Sequence, residues 1–142
     1  MRKNVISTLK TFLKANSSYY RIAMSFLYGS WIEGFPHIDS DIDLAILFSE
    51  DFDSEEYTFS LITDISYRLQ KILNREVNII SIYRDFRQPM LYYNAIVSGM
   101  PVFIKDEDKF LSLKLYAISQ MEDFRILGIP WQIEIAGQVL GR

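Results

Sequence analysis

Two short apolar runs, residues 22–28 and 44–48, are separated by Gly29-Ser30 and by a polar stretch ending in Asp41-Ile42-Asp43. Each run is bounded by a break and is shorter than a typical helix, so both read as buried strands. The second strand begins within residues 41–48, alternating acidic with apolar residues before turning wholly apolar. Two carboxylates therefore stand at the mouth of a core strand, where desolvation penalises charge unless something offsets it. That arrangement makes the acidic end the candidate site.

The remaining pattern supplies helices around these strands. Val5, Leu9, Phe12 and Leu13 recur at helical spacing, and Asn16-Ser17-Ser18 closes that first helix. Asp53 and Glu56 have capping-box spacing with Asp53 as the cap, and Leu61, Ile62, Ile65, Leu69, Ile72 and Leu73 continue one apolar face of a long helix. Residues 77–82 form a third strand, residues 89–98 a helix stopped by Gly99, and residues 102–104 an edge strand. Phe110, Leu113, Ala117 and Phe124 mark a helix over residues 108–125, which Gly128 and Pro130 interrupt. Helices interleaved with a small mixed sheet make an α/β or α+β fold. Without a repeat or a convincing linker, residues 1–142 read as one domain, with a C-terminal helical region from about residue 107.

At 142 residues one such core buries roughly two-thirds of the surface an unfolded chain exposes. The absence of cysteine excludes disulfides, thiol nucleophiles and cysteine-ligated zinc, and it suits a reducing, cytoplasmic setting. His37 is the only histidine and reads as loop. No apolar stretch is long enough to span a membrane. A net charge of −3 gives no global attraction to phosphate backbones, so nucleic acid is not an expected partner. The aromatic share of 15% is high. Packing accounts for most of those rings, while Tyr116, Phe124 and Trp131 suit either a contact with a helical partner or a second copy of the chain, or closure of this domain's own core.

Chemistry concentrates in GSWIEGFPHIDSDID, where ten residues separate Ser30 from Asp41. Residues i and i+2 of a strand share a face, which lets Asp41 and Asp43 converge on cations. Hard oxygen ligands suit magnesium, and two such ions clamp the attacking and leaving oxygens of a phosphoryl displacement. Gly29 permits a turn that brings backbone close to a phosphate, and Ser30 adds a hydroxyl and an N–H donor. Together they form a candidate triphosphate seat. The competing reading is a plain turn beside two acids that solvate a strand end.

The segment YGSWIEGFPHIDSDIDLAIL, residues 28–47, resembles the signature of the minimal nucleotidyltransferases (MNT), a branch of the DNA polymerase beta superfamily. The order of strand, Gly-Ser, Asp-x-Asp strand, long helix and further strand matches that family, as do Gly34 and Asp39-Ser40. The resemblance spans roughly residues 5–105. It implies a polymerase-beta-like core in which Gly29, Ser30, Asp41 and Asp43 bind ATP, and Asp41 and Asp43 hold Mg2+. It further implies an antitoxin that transfers AMP from ATP to a tyrosine of a HEPN-domain ribonuclease toxin.

The sequence departs from the family pattern in two places. Asn78 stands where a third catalytic acid belongs, and an amide is neither charged nor a useful base. Glu76, two residues earlier on the same face, is the candidate substitute, or simply a solvated strand end. Trp31 and Glu33 stand where relatives carry arginines that grip phosphate. Trp31 reads either as a stacking platform or as a packing residue. These departures keep two alternatives open: an impaired MNT-fold antitoxin that neutralises its HEPN partner by binding, and a transferase of small molecules.

Overall fold

The computed structural model describes residues 2–33 and 41–126. In chain order the elements are α1 (Arg2–Tyr20), β1 (Ile22–Tyr28), the short α2 (Ser30–Glu33), β2 (Ile42–Phe48), α3 (Glu55–Leu73), β3 (Val77–Ser81), α4 (Pro89–Tyr93), a π-helical turn (Asn94–Ser98), β4 (Met100–Ile104) and α5 (Glu107–Ile126). The strands form one sheet in the order β3-β2-β1-β4. β1 runs antiparallel to both β2 and β4, whereas β2 and β3 are parallel and joined by α3. The sheet is mixed and helix-covered, an α/β architecture as the sequence pattern implies.

Alternation along the strands gives each face its own core. Ile42, Leu44 and Ile46 of β2 point toward α1 and α3, where they meet Leu9, Leu13, Ile65 and Leu69. Ala45 and Leu47 point the other way and join Phe26 of β1 under Tyr92 and Ile96, with Ala117 supplied by α5. Beyond Asp43 both faces of β2 are apolar, which explains why its sequence is nearly continuous rather than alternating.

Several boundaries differ from the sequence expectation for local reasons. α1 does not stop at Asn16-Ser17-Ser18. The Asn16 amide donates to the Phe12 carbonyl and the Ser17 hydroxyl to that of Lys14, so these polar side chains bond within the helix. The helix continues until Tyr20 is buried, and Arg21 then takes a positive φ of 59°. The cap of α3 is Ser54, not Asp53. Its extended backbone places the hydroxyl to accept the Tyr57 N–H at 3.3 Å. Ile72 was expected on the buried face of α3 but is 56% exposed, because that face is held by Ile65 and Leu69. The helix preceding Gly99 changes to a π-helical turn from Asn94. A Cβ at Gly99 would lie 2.3 Å from the Ala95 carbonyl oxygen and 2.8 Å from that of Leu27, so only glycine lets this turn dock on β1. β4 begins at Met100, earlier than expected, and is an edge strand, where Pro101 is tolerated.

Candidate active site

The register of the sheet builds the candidate site. Tyr28 at the end of β1 pairs with Asp43 of β2, and Asp43 pairs with Asn78 of β3. Directly paired residues project to the same face, so these three side chains form a row across three strands. Asp41 precedes β2 and is exposed. Its parity puts it on the face of Asp43, and its negative charge acts on the Asp43 carboxyl. Both acids thus stand at the strand mouth, Asp43 at the start of β2 and Asp41 just before it.

Gly29 completes this corner. Its φ of +78° belongs to the left-handed region. A Cβ built there would lie 2.6 Å from Asp43 Oδ2, so the backbone of the Gly-Ser turn and the carboxylate are in close approach. Ser30 is exposed and opens α2, and the Ile32 N–H returns to the Gly29 carbonyl at 3.0 Å. Hydroxyl, turn backbone and two carboxylates thus share one mouth of the sheet.

Partial burial raises the Asp43 pKa above the ordinary value, and the negative charge of Asp41 adds to the rise. Asn78 opposes it by donating from its amide to Asp43 Oδ1, a long contact of 3.5 Å. Tyr28 is pushed up to about 12, first by burial and then by the adjacent Asp43 charge, so its hydroxyl stays protonated. Burial is the larger cause of both rises, and the neighbouring negative charge adds to each.

Asn78 therefore occupies the register position expected of it, facing Asp43 from the parallel strand. Glu76 stands at the register of Asp41, its carbonyl accepting the Ile42 N–H at 2.9 Å, and its side chain is exposed. Among the described residues no group of three acidic, histidine or cysteine side chains is arranged to hold a metal.

Trp31 is fully buried, which excludes the stacking-platform reading and makes it a packing residue. Its indole N–H has no partner among the described residues, and the guanidinium of Arg75 lies 5.2 Å from its ring centroid. Sequence reasoning missed Arg75 and Tyr28. Tyr28 was findable, because a hairpin closing at Gly29 pairs the residue before it with the second acid. Arg75 follows Asn74, which ends α3 with a left-handed φ of 53°, and no sequence pattern aims it at Trp31. Gly34, His37, Asp39, Ser40 and Trp131 lie outside the described residues, as do the side chains of Glu33 and Phe124.

A family model described as polymerase beta nucleotidyltransferase matches residues 7–108. The chain belongs to that family. None of the curated proteins matches the sequence. Among solved structures, the fold is similar to a chain of the toxin-antitoxin MntA-HpeT in mutant form, with a TM-score of 0.67 and 17% identity over 95% of this chain and 98% of that one. It is similar to a chain of a toxin-antitoxin with AMP-PNP, with a TM-score of 0.67 and 19% identity over 99% of each chain. A third is a complex of tri-AMPylated Shewanella oneidensis HEPN toxin with MNT antitoxin, with a TM-score of 0.65 and 16% identity over 99% of each chain. At such identities the likeness establishes the fold. Among the described residues no helix is long and apolar enough to cross a membrane.

Proposed function

We propose that this chain is an MNT-type antitoxin that transfers AMP from ATP to a tyrosine hydroxyl of a HEPN-domain toxin. The observation that carries the reading is the close approach of the Asp43 carboxylate to the Gly29 backbone, with Asp41 beside it. That approach supports the reading because carboxylate oxygens and turn-backbone donors stand near enough to serve one metal-triphosphate ligand. The similar folds seen with AMP-PNP and with an AMPylated HEPN toxin support the same choice of nucleotide and partner. On this reading residues 1–142 act as one domain in the cytoplasm.

Two carboxylates, one of them destabilised by burial and by the charge of its neighbour, fit a hard divalent cation such as Mg2+. Asp41 and Asp43 would hold it, and when bound it supplies charge neutralisation for the triphosphate and for the attacking oxygen. The Ser30 hydroxyl and the Gly29-Ser30 backbone bind the terminal phosphates. Asn78 positions Asp43 through its amide, and it cannot take the proton of the attacking tyrosine. That proton leaves to water or to Glu76, which stands on the same side of the mouth.

A specific observation favours a second reading, in which the chain neutralises its partner by binding alone: an amide faces Asp43 at the position of a third acid. The deciding experiment mixes the chain with its HEPN partner, labelled ATP and Mg2+, and follows label on tyrosine. We expect incorporation that Asp41→Asn and Asp43→Asn abolish. Absence of label in a mixture where the toxin is nevertheless silenced establishes the binding reading.

A further inference from the structure

The face of the sheet that carries Asp43 has a second concavity at its other end. Asp43 and Leu47 share that face of β2, four residues or roughly 13 Å apart along the strand. Around Leu47, a cavity of about 540 Å³ opens between the sheet and α5. Its volume lies in the range of small-molecule sites. The floor is apolar, formed by Met24, Leu47, Ile82 and Phe86, and Leu113 and Tyr116 of α5 wall it.

The rim has the opposite character. Lys105, Lys109 and Arg84 border the cavity with one acid, Asp106. Arg84 is committed, since it donates to Asp51 and to the carbonyls of Phe48 and Ser49. Asp106 is committed as well, accepting the N–H groups of Asp108 and Lys109 at the start of α5. The two lysine ammonium groups form no ion pair among the described residues. Cations in the first turn of a helix are disfavoured by its dipole. The acids of that turn, Glu107 and Asp108, do not line the cavity. Unpaired positive charge is thus gathered over an apolar floor, an arrangement that fold stability alone does not favour.

We propose that this cavity is a second binding site, separate from the carboxylate pair, for a small amphiphilic anion. Its apolar body lies on Met24, Leu47, Ile82 and Phe86, and its carboxylate or phosphate lies between Lys105 and Lys109. A neutral hydrophobe leaves the lysines unpaired, and a bare phosphate leaves the floor uncovered, so only a ligand with both parts uses the whole site.

Calorimetric titration of the full chain with 2-naphthoate, 1-naphthyl phosphate and the neutral 2-naphthamide tests this. Saturable one-to-one binding of at least one anion is expected, tenfold or more tighter than the amide, and the two anions show which acidic group is preferred. Lys105→Ala with Lys109→Ala should weaken the anion at least tenfold without altering the amide, and Ser112→Trp at the rim should block both. Asp41→Asn with Asp43→Asn should leave anion binding unchanged. Equal affinity for anion and amide, retention in the double lysine variant, or no saturable binding of any probe overturns the proposal. Displacement of the anion by ATP with Mg2+ overturns the separation of the two sites.

Discussion

Asp43 Oδ2 lies so close to the Gly29 backbone that a side chain at position 29 would overlap it, a Cβ falling 2.6 Å away. Gly29→Ala therefore acts twice, through this overlap and through a positive φ that alanine adopts at a cost. A loss of about 1–3 kcal/mol is expected. Chemical denaturation measures it. Nucleotide affinity should fall further than stability alone explains, because relief of the overlap requires Asp43 to move. An alanine variant as stable and as tight-binding as the parent refutes the packed corner.

Asp43→Asn should stabilise the metal-free protein while removing metal-dependent nucleotide binding. The folded pKa of Asp43 is raised, by burial first and by Asp41 second. A raised carboxyl contributes stability that is present below its unfolded pKa and is lost as pH rises through its folded pKa. At neutral pH the ionised group is thus a liability, kept under about 1 kcal/mol by solvent screening. Melting curves in chelator across the acidic range should show the parent losing stability as pH rises through that window, with the asparagine variant flatter. A variant less stable than the parent at neutral pH contradicts the assignment.

Asn78→Asp should raise transfer of AMP to the partner tyrosine, toward the ~10²–10⁴-fold that a positioned general base contributes. It also places a third negative charge opposite Asp43, so the metal-free variant should melt lower and gain more on addition of Mg2+ than the parent does. Glu76→Gln in both backgrounds separates the roles: loss of activity in the parent alone identifies Glu76 as the group that takes the proton. If Asn78→Asp changes neither the Mg2+ response nor transfer, the β3 position is not part of the site.

Trp31 is a buried ring with an N–H that has no partner among the described residues. Truncation to alanine should cost about 3–5 kcal/mol. Phenylalanine keeps most of the ring volume and leaves a smaller cavity, so Trp31→Phe should cost far less than truncation. Urea denaturation of both variants tests this. Equal losses would show that ring packing is not what Trp31 contributes.

The strands and the acid pair were legible because the signals were local. Apolar runs, the Gly-Ser break and two-residue alternation fix β1, β2 and the shared face of Asp41 and Asp43 without reference to anything distant. The register of Asn78 opposite Asp43 was legible as well, since a parallel strand after one long helix leaves little freedom of register. What escaped were features decided by competition or by distant packing. Ser54 took the cap from Asp53 through backbone geometry. Asn16 and Ser17 stayed helical because their side chains found carbonyls in the preceding turn. The Arg75–Trp31 contact joins residues 44 positions apart in the chain, and the cavity beside α5 depends on how that helix meets the sheet.

Both halves of the candidate site hang from interior strands. Gly29 follows β1 and Asp43 lies in β2, and each strand is hydrogen-bonded along both edges. Edge strands and termini open by local fluctuation, whereas doubly paired strands open only with the whole fold. The carboxylate corner should then have no partly unfolded state in which it is lost while the rest of the sheet survives. Amide hydrogens of residues 44–47 should exchange at the rate set by global unfolding, and a destabilising substitution anywhere in the core would lower the working fraction of sites without altering those that remain.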